Sequence, residues 1–318
     1  MKIVFLDAKT VDLKEAQKIL ATFSDVELYE VTAPDEVISR SIHADIIITN
    51  KVILSANILE KLPKCKLICI AATGMNNVDL NYAKDHNIQV KNVSGYSTDS
   101  VVQYTFSSFF HFRNQLNYYD QFTKKLSWID SDIFTHYQPF SELSGKRWGV
   151  IGLGEIGRSV ARIAKAFGAK VSYYSTSGKN NQSEFEQVDL ETLLKTSEII
   201  SIHCPLNPHT ENLITKSELS LLKDHVILIN AARGGIINEK DLADSIKSRN
   251  IFVALDVLSK EPMEKSSPFV DIISAPNFLL TPHIAWASLE ARKKLLLGIV
   301  NNIKEYLDSS SSTSALEQ

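Results

Sequence analysis

Residues 148–158 read Trp-Gly-Val-Ile-Gly-Leu-Gly-Glu-Ile-Gly-Arg and constrain the fold more than any other stretch of the chain. An apolar strand leads into Gly152, Gly154 and Gly157, at G-x-G-x-x-G spacing, and a helix follows. Gly152 permits a tight turn, Gly154 lets backbone approach a pyrophosphate, and Gly157 lets the helix pack close to the strand. The helix N-terminus then offers free N–H groups and a positive dipole end to phosphate. The spacing alone is a weak signal, and its surroundings strengthen it. Residues 146–151 supply the strand. Ile156, Val160, Ile163, Ala164 and Phe167 share one helical face, Gly168 ends the helix, and residues 169–174 form the next strand. The whole is a βαβ unit of the size that binds a dinucleotide.

The chain has 318 residues, which predicts about two domains. A net charge of −3 gives no reason to expect nucleic acid or an anionic membrane as partner. No apolar run approaches the roughly 20 residues of a membrane span. Residues 1–7 read as a first strand rather than a signal peptide, because an acidic residue arrives too early. Three cysteines, Cys65, Cys69 and Cys204, argue against a disulfide framework and for a reducing compartment, the cytoplasm. Cys65 and Cys69 read as buried thiols, and no metal site is expected.

Two series of alternating strands and helices are expected. The first has strands at 2–7, 26–31, 45–49, 66–71 and 88–92, with helices at 13–23 and 78–86. The second begins at Arg147 and adds strands at 171–174, 199–203, 226–230, 252–256 and 278–281. Continuous apolar strands of this kind suit parallel sheets covered on both faces. The fold class is α/β: two doubly wound, parallel-sheet, Rossmann-like domains with a cleft between them. Residues 99–125 predict one long crossover helix, N-capped by Ser97 or Thr98. Residues 126–143 lack clean periodicity and read as an arm. A second long helix over about 287–307 returns to the first domain, and the Ser-rich 309–318 reads as a disordered tail. The expected domains are 1–98 plus 287–318 for substrate and 99–286 for the dinucleotide.

Three segments follow strands of the second series, at the edge where α/β sheets bind ligands. They are 230–235, 255–262 and 280–285, and they carry Arg233, Glu261 and His283. An Arg fork can hold a carboxylate and polarise an adjacent carbonyl. A His can pass a proton to a carbonyl oxygen as hydride arrives, and a Glu beside it favours the imidazolium and fixes the ring. Taken singly, such residues are more often an ion-pair partner, a turn residue and a solvated loop residue. His203, before Pro205, reads as packing on the cofactor side.

The segments 152–157, 203–205, 230–235, 256–262 and 281–283 resemble, in order and spacing, the signatures of the D-isomer-specific 2-hydroxyacid dehydrogenases. The resemblance spans the chain up to its tail. It implies catalytic roles for Arg233, Glu261 and His283. It also implies substrate carboxylate binding by the loop at 72–79, through Thr73 and Gly74, together with Arg233. The candidate cofactor-binding residues are Thr98, Gly152, Gly154, Glu155, Ile156, Gly157, Ser175, Thr176, Ser177, Lys179, His203, Cys204, Pro205, Thr210, Ala231, Ala232, Arg233, Asp256, His283 and Ala285. Within the family, 72–79, 95–98 and 281–288 are similar to glycerate dehydrogenases, also called hydroxypyruvate reductases. Glu261 argues against formate dehydrogenases, which carry another residue type there.

One position departs from the pattern of NAD users. Those place an acidic residue on the adenosine ribose at the end of the second strand. Here that place holds Ser175, followed by Thr176, Ser177 and Lys179, which suit a 2′-phosphate. The cofactor is therefore expected to be NAD(P)(H), with NADPH or dual use ahead of strict NADH. The expected activity is hydride transfer between it and a small D-2-hydroxy acid, with hydroxypyruvate or glyoxylate reduction foremost. Alternatives are a dehydrogenase for a larger D-2-hydroxy acid and a non-catalytic dinucleotide-binding scaffold of the corepressor kind. The resemblance also implies a homodimer, with the arm at 126–143 contributing.

Overall fold

The computed structural model describes residues 1–136, 139–180 and 184–314. The chain forms two compact units, Met1–Ser97 with Trp286–Gln318 and Thr98–Ala285.

The first unit begins β1 (Ile3–Phe5), α1 (Leu13–Leu20), β2 (Val26–Leu28), α2 (Val37–Ser41) and β3 (Ile46–Thr49). It continues with α3 (Ala56–Leu59), β4 (Leu67–Ile70), α4 (Leu80–Asp85) and β5 (Gln89–Lys91). The strands lie in the order β2-β1-β3-β4-β5, all parallel. Side chains alternate between faces, and both faces are buried. Ile3, Phe5, Ile46, Ile48, Leu67 and Cys69 point to one side, Val4, Ile47, Ile68 and Ile70 to the other. Burial raises the Cys65 and Cys69 thiols to about 12, as inert core residues require. The carboxylate of buried Asp7 accepts the N–H groups of Asn50, Lys51 and Val52, closing the turn after β3.

The second unit opens with α5 (Thr98–Asn114) and α6 (Leu116–Lys124). One unbroken helix was expected here, but Gln115 takes a left-handed φ of 48°, which ends the first helix and starts the second. Thr98 lies inside α5 rather than capping it. No helix or strand follows among the described residues of the arm, and Tyr137 and Gln138 lie outside them. Then come β6 (Arg147–Ile151), α7 (Glu155–Ala166), β7 (Lys170–Tyr174), β8 (Glu186–Gln187), α8 (Leu190–Thr196) and β9 (Ile199–Ile202). The unit closes with α9 (Lys216–Ser220), β10 (Ile227–Asn230), α10 (Glu239–Ser248), β11 (Phe252–Leu255) and β12 (Phe278–Leu280). The parallel sheet runs β12-β11-β10-β9-β6-β7-β8, with the short edge strand β8 unforeseen.

Trp148, Val150, Tyr173, Ile227 and Ile229 meet α5 and α7 on one face, while Ile151, Ile200, Ile202 and Leu228 meet α8 and α10 on the other. In α7 the buried face is Gly157, Val160, Ala161 and Ala164, whereas Ile163 is exposed. Small residues let this helix sit close to the sheet, which rotates Ile163 outward. Phe167 stays half exposed but stacks on Phe106 and meets Phe110 of α5 edge to face.

The chain then rejoins the first unit through α11 (Leu289–Ser314). Leu295, Leu296, Ile299 and Ile303 are buried in that unit's core. The helix continues through the Ser-rich stretch expected to be disordered, and residues 315–318 lie outside the described ones. No described helix is long and apolar enough to cross a membrane.

Candidate active site

All strands of the second unit's sheet end on one edge, and the sequence-predicted groups of that unit gather there. In sequence the strands run β6, β7, β8 toward one side and β9 to β12 toward the other, so the order reverses between β6 and β9. Gly152 sits at that reversal with φ 92°, and a Cβ there would lie 2.7 Å from the Cys204 backbone nitrogen. A Cβ on Gly157 would lie 2.1 Å from the Gly152 carbonyl oxygen. Gly154 differs: its Cβ would meet nothing within 4 Å. The protein itself therefore does not demand a glycine at 154, while a pyrophosphate lying close against the backbone there would. Gly154 also supplies no side-chain cap to α7, so the N–H groups that open the helix at Glu155, Ile156 and Gly157 lack one. Glu155 instead accepts the Thr98 hydroxyl at 2.8 Å.

At the end of β7, Ser175 is buried and its Oγ has no hydrogen-bond partner among the described residues. Thr176 is half-buried, and Ser177 and Lys179 are exposed. After β9, His203 keeps some exposed surface, but its Nε2 is buried and has no partner among the described residues. Burial pushes its pKa down to about 3, so the ring is neutral. Burial likewise pushes the Cys204 thiol up to about 11, which disfavours the thiolate. The Thr210 hydroxyl is spent internally: it donates to the Pro205 carbonyl at 2.6 Å and accepts the Asn207 N–H at 2.8 Å. These orphaned polar atoms and the open cradle at Gly154 fit a dinucleotide. The residues that would hold it are the N–H groups opening α7 and the side chains of Ser175, Thr176, Ser177 and Lys179.

The turn after β10 is built by Asn230, which is buried. Its side chain accepts the Ala232 N–H at 3.0 Å and donates to the Arg233 carbonyl at 2.9 Å. Ala231, Ala232 and Arg233 are half-buried, and Arg233 Nη1 donates to the Ala232 carbonyl at 2.7 Å. A Cβ on Gly234 would lie 1.9 Å from the Leu258 carbonyl carbon, so this turn lies directly against the loop after β11. In that loop the Leu258 N–H donates to Glu261 Oε1 at 3.0 Å, aiming the other oxygen away. His283 Nδ1 donates to Glu261 Oε2 at 2.6 Å. This short bond fixes the tautomer and leaves Nε2 free of the carboxylate.

His283 takes a left-handed φ of 55°, an uncommon state for a non-glycine residue. Its N–H donates to the Asp256 carbonyl at 2.9 Å. The buried Asp256 carboxylate accepts the Thr281 hydroxyl (2.6 Å), the Ile284 N–H (2.8 Å) and the Ala285 N–H (2.7 Å). Burial raises the Asp256 pKa, while these donors and the nearby His283 charge oppose the rise. Thr281 lies in a segment the sequence marks, whereas Tyr104 and Ser100 of α5, whose hydroxyls bond to Thr281 and to the Ala285 carbonyl, carry no sequence signal for a site. Thr73 and Gly74 lie in the first unit, on the loop after β4. Asn92 Nδ2 donates to the Thr73 carbonyl at 2.6 Å, and Thr73 Oγ1 to the Val93 carbonyl at 3.2 Å. Among the described residues no His, Cys, Asp and Glu cluster could hold a metal ion.

Residues 106–285, more than half of the chain, match the family model described as D-isomer specific 2-hydroxyacid dehydrogenase, NAD binding domain. The chain belongs to this family. It is 37% identical to a hydroxypyruvate reductase of Blautia hydrogenotrophica, covering 98% of both chains. It is 34% identical to a glycerate dehydrogenase of Methylorubrum extorquens, covering 96% of both. Among solved structures it is similar to an acyclic imino acid reductase in complex with NADPH and D-Arg, with TM-score 0.84 and 34% identity over 97% of this chain and 98% of the other. The D-lactate dehydrogenase of Aquifex aeolicus, complexed with NAD and lactic acid, superposes with TM-score 0.83 at 26% identity over 98% and 97%. The chain is thus an oxidoreductase, an NAD(P)-dependent D-2-hydroxyacid dehydrogenase.

Two outcomes follow from this dehydrogenase's cofactor edge. Gly154→Ala leaves stability within about 1 kcal/mol of the parent but raises the Kd for the nicotinamide dinucleotide. Gly157→Ala costs about 1–3 kcal/mol, because its methyl collides with a carbonyl. Chemical denaturation and cofactor titration separate the pair. His203 is neutral when folded, so below its ordinary pKa of 6.5 only the unfolded chain gains that proton. Stability therefore falls by about 1.4 kcal/mol per pH unit as pH drops from about 6 toward 3. Denaturation midpoints at pH 7 and pH 5 show this component, and His203→Phe removes it.

Proposed function

We propose that this enzyme reduces a small 2-oxo acid, hydroxypyruvate or glyoxylate, to the D-2-hydroxy acid, with NADPH accepted at least as well as NADH. The observation that carries the reading is the 2.6 Å His283–Glu261 pair, set beside the glycine-locked Arg233 turn on the dinucleotide edge. A nicotinamide dinucleotide held by the N–H groups that open α7 would supply a hydride to the carbonyl carbon. Arg233 holds the substrate carboxylate and polarises the carbonyl. As the carbon accepts hydride, the carbonyl π electrons move to oxygen, which takes the proton from His283 Nε2. Glu261 favours the imidazolium beforehand and keeps Nδ1 protonated throughout.

The names of relatives support the substrate class, since a hydroxypyruvate reductase and a glycerate dehydrogenase each match nearly end to end. NADPH use is supported by Ser175, Thr176, Ser177 and Lys179 where a carboxylate would repel a 2′-phosphate, and by the NADPH bound to the imino acid reductase. A homodimer is supported by the arm. Leu126, Trp128, Ile129, Ile133 and Phe134 are all exposed, Phe134 by 89%. A contiguous apolar stretch of this kind is normally covered. Three buried thiols suit a reducing compartment, the cytoplasm.

Initial rates of hydroxypyruvate and glyoxylate reduction, with NADPH and NADH in parallel, test the reading. Turnover is expected, with Arg233→Ala and His283→Ala each lowering kcat/KM by at least about a hundredfold. Absence of turnover with both acids and both cofactors removes the substrate assignment, and a strong NADH preference removes the cofactor one. Light scattering is expected to report a dimer that Phe134→Asp, in the arm, weakens. A monomeric parent would remove the assembly.

A further inference from the structure

The helix α5 grips the His283 loop at both ends, and no sequence motif marks the residues that do so. Ser100 Oγ donates to the Ala285 carbonyl at 2.6 Å. Four residues along, Tyr104 lies 2.7 Å through its hydroxyl from Thr281 Oγ1. The direction of that second bond follows from its neighbours. Both oxygens of Asp256 already accept backbone N–H groups, as suits the ionised, acceptor-only carboxylate. Thr281 therefore spends its one hydroxyl proton on Asp256 and accepts from Tyr104. The result is a one-way chain in which Tyr104 donates to Thr281 and Thr281 donates to Asp256. Each bond polarises the next.

Asp256 sits at the centre of the loop. Its carbonyl takes the His283 N–H and its carboxylate takes those of the next two residues. Those bonds hold His283 at φ 55°, which a non-glycine residue keeps only when its surroundings enforce it. We propose that Tyr104 is a positioning residue for proton transfer, acting through Thr281 and Asp256 to hold the His283 ring in its reacting orientation. The inference rests on the reading of His283 as proton donor. Tyr104 itself does not touch the reacting atoms.

The test compares Tyr104→Phe, Thr281→Val, Thr281→Ser and the Tyr104→Phe/Thr281→Val double variant in the full-length enzyme. Losing one buried hydrogen bond in the chain is expected to lower kcat about tenfold. The substrate KM, the NADPH Kd and the melting temperature stay near the parent values in Tyr104→Phe. Thr281→Ser keeps the relay oxygen and recovers most of the kcat that Thr281→Val loses. The double variant falls no further than Thr281→Val, because both changes break one chain. An unchanged kcat in Tyr104→Phe overturns the proposal, as does a kcat loss matched by weaker NADPH binding. If the parent shows no turnover, the reading of His283 as donor fails separately. The proposal is then decided by the His283 ring resonances, assigned through His283→Asn. They shift in Tyr104→Phe if the chain orients the ring, and unmoved resonances overturn it.

Discussion

Parallel pairing brings every strand end of one sense to the same edge of a sheet, and the chemistry of this enzyme hangs on that geometry. An all-parallel strand is covered on both faces, so its side chains are committed to packing. Polar groups are left to the turns that follow the strands. In the second unit those turns deliver Gly152, His203, Arg233, Asp256 and His283 in the order the chain visits them. Closeness between neighbouring turns is secured by absent side chains: Gly152 against Cys204, and Gly234 against Leu258. A methyl at either place would push apart loops that carry the candidate donors.

The His283 loop then poses a conflict between burial and charge. A carboxylate as buried as Asp256 loses hydration, which raises its pKa. Three donors from one short loop replace the water, and in replacing it they also hold the backbone turn at His283. One set of bonds thus serves two ends. It keeps a negative charge near the imidazole, and it holds an uncommon backbone state. Glu261 acts on the ring itself through the 2.6 Å bond. The two carboxylates therefore divide the work, one fixing the backbone of His283 and the other its side chain.

Much of this was legible in the sequence because it depends on local, type-specific demands. Glycine spacing announced the turn after β6, apolar runs announced the strands, and the polar groups Arg233, Glu261 and His283 lie, as the sequence expects, in the turns that follow strands of the second sheet. What escaped depends on other information. The break at Gln115 is a left-handed residue inside a helical pattern, and glutamine carries no signal for that state. The two-residue β8 is too short for any periodicity, and its place comes only from pairing with β7. The extension of α11 through Ser309 continues a helix already anchored by Leu295 to Ile303, so serine's low preference does not stop it. Tyr104 and Ser100 were invisible because their partners lie 177 and 185 residues away.

The cofactor position shows how a missing residue can carry an argument that a present one does not. An acidic side chain after β7 would accept two ribose hydroxyls and repel a 2′-phosphate. Serine does neither strongly, so the site loses a penalty more than it gains a contact. Ser175 Oγ is buried without a partner among the described residues, and such an atom costs stability until something bonds to it. A phosphate oxygen or a ribose hydroxyl would both satisfy it. Discrimination then falls to Lys179, which is exposed and works across solvent. A screened charge of that kind contributes about 1 kcal/mol or less, and less still as salt rises. Whatever a screened charge at this edge contributes toward either dinucleotide is therefore small, and it shrinks as ionic strength rises.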